Sequence, residues 1–535
     1  MKINSYEHEA WLGQAPEIEE KEIAQTVEAD VVVAGGGLAG VAALRRATEL
    51  GATAILLEKC ATVQARSGDF AVMDSRVADV WGRRNVDKVQ IVNDLMTHMC
   101  YMVNQRILNR WAQEAGEAFD WYLEAYPGIP VLRSTGEIPP RGAKVWLMPR
   151  RLPLPKSFDN ATERFPCHQT TVWVRPSHIP VCQANYEMAV RTGLARSYFN
   201  APVQKLLRGP DGRVQGAIAR LEDSRYLRVL CRKGLVLATG DYMSNPDMLR
   251  RFCPGMVNTP QLWNGRDKDR RPSNTGDGHR LGMWIGAKLQ DQPHAPVAHH
   301  MGSVFGASGF LLLNTRGLRF VNEDAPGQQI GDQIEGLPDK TAWQFVDGDW
   351  FEQVKDVYPS HGSVCFPITD EELSGGSVYG KLSTIDNYIS PGLVQKALET
   401  GKLLKADTLE ALLDMTGLDR NTALRSIARY NDLCAKGRDE DFGKRSLRLF
   451  PVRKPPFYAA RFEPATMIAV MGGLESDEEA RCYDTDGRAI EGLYVAGNVQ
   501  GNRFAIEYPL TVPGLSHSMA LTYGRIAGEN AVREK

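Results

Sequence analysis

ADVVVAGGGLAGVAALRRATELGATAILLEK, residues 29–59, reads as a complete strand, turn, helix and strand. Residues 29–34 form an apolar, β-branched run suited to a strand buried on both faces. Residues 41–50 read as a helix, with Gly51 at its end, and residues 53–58 as a second strand. That order begins a parallel sheet. Between strand and helix, Gly35, Gly37 and Gly40 make G-x-G-x-x-G, enclosing Leu38 and Ala39. The first glycine allows the tight turn, the second lets backbone approach a pyrophosphate, and the third lets the helix pack on the sheet. Free N–H groups and the positive dipole end at the helix N-terminus favour that anion. Glu58 ends the second strand, where an acid accepts ribose hydroxyls. The motif by itself does not separate NAD from FAD.

A chain of 535 residues exceeds the usual size of one core, which points to two domains. Residues 86–126 look helical, and the proline-rich 127–180 stretch reads as loops around a cleft. Residues 199–240 alternate like strands, with a hairpin at 209–213, and GLVLATGD (234–241) is a further buried strand closed by glycine. The pattern changes near 295, returns to sheet over 478–500 and closes with a helix over 514–533. The organisation expected is an N-terminal extension (1–28), a first part of a dinucleotide-binding domain (29–294), an inserted capping domain (295–455) and a second part (456–535). The fold class is α/β: a Rossmann-like domain of the glutathione-reductase type with an inserted α+β substrate-capping domain.

Composition narrows the function classes. The formal net charge of -2 favours neither nucleic acid nor an anionic membrane surface. The nine cysteines are scattered, with no CxxC, so neither a disulfide framework nor a metal site is expected. The first 30 residues are acidic and lack an apolar signal core, and no apolar run reaches membrane-spanning length, which leads to the expectation of a cytoplasmic protein.

Five ordered segments carry a family resemblance: VVVAGGGLAGVAAL with LLEK; LVLATGDYMSNPDML; NTGDGHRLGMWIGA; LLLNTRGLRFVNED; and MGGLESDEEARCYDTDGRAIEGLYVAGNVQGNR followed by GRIAGENA. The chain resembles the fumarate reductase and succinate dehydrogenase flavoproteins, a group that includes 3-ketosteroid dehydrogenases and urocanate-type reductases. The resemblance implies FAD. It makes Gly35, Gly37, Gly40 and Glu58 the ADP-binding set, with Lys59 beside the ribose. It sets Ser67 and Gly68 along the flavin, Val203 at adenine, Ala238, Thr239 and Gly240 beside the pyrophosphate, and Asn274 to Gly278, including Thr275 and Asp277, as a TGDG turn. Gly497 and Asn498 match a Gly-Glu pair that reaches the ribityl or pyrophosphate, with asparagine in place of the acid. Gly514, Leu515 and Ser516 would aim helix N–H groups at the flavin pyrimidine. The segment ARSGDFAV (65–72), where some relatives attach flavin to histidine, has none, so FAD is expected to be non-covalent.

On the substrate side the chain departs from the family. The acid arginine that follows VNE in fumarate reductases has no counterpart, since no arginine occurs from 320 to 419. The family's His-His pair is replaced by Ile468 and Ala469. Arg503 matches an arginine that grips a carboxylate or carbonyl. Tyr508 is the first choice for the missing proton donor, with Tyr379 and Tyr388 in the inserted domain and His299 and His300 before it as further candidates; His517 and Tyr523 read as structural. These changes disfavour dicarboxylates. The expected activity is reduction of a C=C bond next to a carbonyl or carboxylate in a bulky, aromatic or steroid-like small molecule, fed by an external electron protein or NAD(P)H. Two alternatives stay open: a dehydrogenase or oxidase passing electrons to quinone or oxygen, and a flavoprotein subunit of a larger electron-transfer complex.

Overall fold

The computed structural model describes residues 9–66, 68–133, 137–150, 154–159, 161, 167–262, 265–299, 302–358, 363–364, 366–371, 388–462 and 465–534. The first strand, β1 (Ile23–Ala34), turns through three glycines into α1 (Leu38–Glu49) and returns as β2 (Ala54–Leu57). β1 thus starts within the expected N-terminal extension. Val31, Val32, Val33 and Ala34 are all fully buried, as a strand covered on both faces requires.

β1 sits inside the main sheet. The strand order is Arg481–Tyr483, Ala489–Val495, Tyr226–Leu237, β1, β2, Ala195–Tyr198. All neighbouring pairs are parallel except the first, and Val203–Arg208 with Val214–Arg220 extend Tyr226–Leu237 as an antiparallel meander. The C-terminal ends of β2, β1, Tyr226–Leu237 and Ala489–Val495 therefore open on one edge of the sheet, where ligands bind in such folds.

The closing helix, Leu515–Arg533, packs directly on α1. Its glycines make this possible: a Cβ on Gly524 would lie 2.4 Å from Ala39 O, and one on Gly528 2.4 Å from Ala43 O. Chain termini far apart in sequence thus form one layer over the sheet.

The inserted unit has its own antiparallel sheet, ordered Leu311–Asn314, Ala342–Val346, Phe457–Arg461, Leu404–Ala406. Phe457–Arg461, which follows the expected boundary at 455, belongs to this sheet. Ala295–His299 and Thr466–Met471, its entry and exit, pair antiparallel. The 127–180 stretch holds more structure than its prolines suggest. Trp146–Pro149 and Thr171–Arg175 form a three-stranded sheet with Asp69–Ala71. That pairing spans about a hundred residues of sequence, which a local pattern cannot reveal. Among the described residues no helix is long and apolar enough to cross a membrane.

The helix contact gives a direct test. Gly524→Val must push α1 off the closing helix and should cost about 1–3 kcal/mol, seen as a lower melting temperature; an unchanged melting temperature would show that the layer does not depend on that approach.

Candidate active site and cofactor cavity

Gly35 adopts a φ of 105°, and a Cβ there would lie 2.4 Å from Ala238 O. A Cβ on Gly40 would lie 1.8 Å from Gly35 O. The two glycines bring the start of α1 against the ends of two strands, and no side chain caps the helix at Gly37. The first-turn N–H groups thus stay available for an anion.

Gly35, Gly37, Leu38 and Ala39 border a cavity of about 700 Å³, within the roughly 300–1,000 Å³ range of ligand pockets. Glu58 accepts hydrogen bonds from Gly36 N and, at 2.7 Å, from Cys60 N. Lys59 Nζ donates to Asp277 Oδ2 at 2.6 Å and Thr275 Oγ1 at 3.1 Å. Burial raises the Asp277 carboxyl pKa, but Lys59 and Arg280 outweigh it and hold it below the usual carboxylate range. Two buried polar atoms beside the cavity, Thr239 Oγ1 and Arg66 Nη2, have no hydrogen-bond partner. Unpaired donors next to a glycine turn are what a dinucleotide diphosphate would satisfy.

The cavity gathers most of the sequence-derived set. Gly35, Gly37, Leu38, Ala39, Glu58, Lys59, Gly68, Val203, Ala238, Thr239, Gly240, Asp277, Gly497, Asn498, Tyr508, Gly514 and Ser516 line it. Gly40, Thr275, Gly278 and Leu515 lie behind this lining. Ser67, Tyr379 and His300 lie outside the described residues, as does the side chain of His299. Tyr388 is buried in the core of the inserted unit, with Phe366 among its neighbours.

Arg503 also stands apart from the lining. It is buried, with Nη2 on Gly497 O at 2.5 Å and Nε on Gln500 O at 3.2 Å. Burial lowers its pKa to about 10. The guanidinium thus ties down the turn that carries Gly497 and Asn498. Tyr508 does reach the cavity. Its hydroxyl accepts from Ser516 N at 3.0 Å and donates to Ser516 Oγ at 3.3 Å, at the start of the closing helix. Burial raises the phenol pKa, and the Ser516 contacts pull part of the way back.

The lining also has an apolar part, Val297, Ile468, Ala469, Met471 and Leu510, which belongs to the same core cluster as Tyr508. The entry and exit ladder of the insertion supplies the first four. Sequence reasoning missed Arg66, Asp69, Asp241 and His517, all of which line the cavity. His517 packs so closely on Gly68 that a Cβ there would fall 2.3 Å from its ring. Its place right after Ser516 was the available signal.

A cavity that joins a buried strand-end acid, a glycine turn and an apolar chamber is the setting of a dinucleotide-binding protein. The chain belongs to the FAD binding domain family, whose model matches residues 30–511. It is an FAD-dependent oxidoreductase acting on CH–CH groups, with the fold of the fumarate reductases and 3-ketosteroid dehydrogenases. It is 24% identical to a vinyl phenol reductase of Lactiplantibacillus plantarum, over 94% of this chain and 96% of that protein. It is 30% identical to an NADH:acrylate oxidoreductase of Vibrio harveyi over 60% of this chain, a match that spans only 29% of that longer protein. Among solved structures, a 3-ketosteroid-Δ4-(5α)-dehydrogenase of Rhodococcus jostii in complex with 4-androstene-3,17-dione superposes with a TM-score of 0.68 at 22% identity, covering 94% of this chain and 97% of that one.

The histidines around this region set a pH dependence. Burial lowers His517 to about 4 and His178 and His294 to about 3, against 6.5 for a free imidazole. Each is neutral in the fold and charges more readily in the unfolded chain. Their stabilisation is complete above pH 6.5 and is lost as pH falls toward 3–4, on the order of 2 kcal/mol each by pH 5. The urea midpoint should therefore drop between pH 7.5 and pH 5, before most carboxylates titrate; a flat midpoint would contradict buried neutral imidazoles.

Proposed function

We propose that the chain reduces a C=C bond conjugated to a carbonyl or an aromatic ring in a bulky, weakly charged substrate, using non-covalent FAD. The observation that carries this reading is the apolar chamber of Val297, Ile468, Ala469, Met471 and Leu510 in the cavity that Tyr508 also lines. That chamber suits an aromatic or alicyclic body. The vinyl phenol reductase, matched along nearly its whole length, supports the same substrate class.

Bound FAD would supply hydride-transfer chemistry to one alkene carbon. Tyr508 supplies the proton to the neighbouring carbon from its Oη. A phenol raised by burial stays protonated at neutral pH, as an acid must. The phenolate left behind is held by Ser516 N–H and the positive end of the closing helix. Ser516 Oγ–H, once turned toward Oη, adds a second donor. Arg503 serves at one remove, fixing the 497–500 turn. The apolar walls orient the substrate and exclude water. Electrons arrive from an external protein or NAD(P)H.

With a reduced viologen as donor, aryl acrylates, vinyl phenols and cyclic enones should be consumed and fumarate should not; fumarate as the preferred acceptor would sink the substrate class. Tyr508→Phe should keep the bound-flavin spectrum and lose about 10²- to 10⁴-fold in turnover. Unchanged turnover would remove Tyr508 from the chemistry.

A further inference from the structure

The two strands that flank β1 both end at a buried carboxylate. β2 runs into Glu58, and Tyr226–Leu237 runs through the Ala238–Gly240 turn into Asp241. Both residues belong to the cavity lining, and because β1 lies between their strands they stand on opposite sides of the Gly35–Gly37 turn.

Each carboxylate is only partly satisfied. Glu58 accepts Cys60 N on one oxygen and Gly36 N on the other. Asp241, fully buried, accepts Met243 N on Oδ1 at 2.9 Å and Asn498 Nδ2 on Oδ2 at 3.1 Å. A carboxylate offers about four lone-pair sites, so both keep acceptor capacity beyond these bonds, Asp241 beneath Asn498 and Arg66. Buried acceptors of this kind gain most from a hydroxyl donor.

FAD has the matching layout: a central diphosphate, a ribose diol on one side and a ribityl triol on the other. Arg66 completes the match. Its Nη2 lacks a hydrogen-bond partner and lies 3.7 Å from Asp241 Oδ2, so a cation offsets the repulsion between that carboxylate and a diphosphate. We propose that Asp241 binds the ribityl hydroxyls, with Asn498 orienting it and Arg66 as its counter-charge, so that each polyol of the cofactor has its own acid. The acid missing at 498 is thereby supplied from the adjacent strand.

Binding to the apoprotein tests this without turnover, using FAD and ADP as the two probes. Asp241→Asn should weaken FAD by about tenfold or more and leave ADP unchanged, whereas Glu58→Gln should weaken both. The double variant Asp241→Asn/Asn498→Asp should regain FAD affinity; it also carries the test if the single variant fails to fold. An Asp241→Asn protein that loses ADP in proportion to FAD, or keeps full FAD affinity, would overturn the assignment, as would a double variant that folds and binds ADP but not FAD.

Discussion

The approach of Gly40 to the carbonyl of Gly35 is the constraint on which the rest of the molecule depends. Any Cβ at 40 would overlap that oxygen, so only glycine lets α1 begin directly at the strand end. Once α1 is seated there, its Ala39 and Ala43 backbone receives Gly524 and Gly528 of the closing helix. That second close contact draws Gly514 and Ser516 back to the cavity, although more than four hundred residues of chain intervene. Tyr508 follows, because its hydroxyl is bonded at the start of the same helix. One steric requirement near the N-terminus thus fixes the Tyr508 end of the cavity.

The site has two halves built by different means. The cofactor half rests on strand ends and backbone groups, with carboxylates from β2 and from its counterpart beyond β1. The chamber beyond it is built from the ladder that opens and closes the insertion. Backbone geometry tolerates little variation, while the ladder's side chains can change without disturbing the sheet. A fold of this kind can therefore keep one backbone grip while the side chains of the chamber, Ile468 and Ala469 among them, vary.

What was legible in the sequence follows the same division. Residues 29–59 disclosed the parallel sheet because one short segment contains strand, turn and helix, and glycine admits few alternative readings. Cavity-lining residues were legible wherever a turn motif is local, as at 238–240 and at Asn274 and Asp277. Asp241 escaped notice because its role depends on which strands lie beside β1. His517 read as helix packing because a helix pattern does not say which residue faces a cavity at the first turn. Arg503 illustrates the opposite error of emphasis: a charged residue in a promising loop turns inward to backbone carbonyls, a destination that composition cannot announce.

The most direct measurement is the flavin content of the purified protein, before and after denaturation in trichloroacetic acid. One FAD per chain, released entirely into the supernatant, is the result this account predicts. FMN in place of FAD, flavin that stays with the precipitate, or a folded protein that takes up no FAD on reconstitution would contradict it.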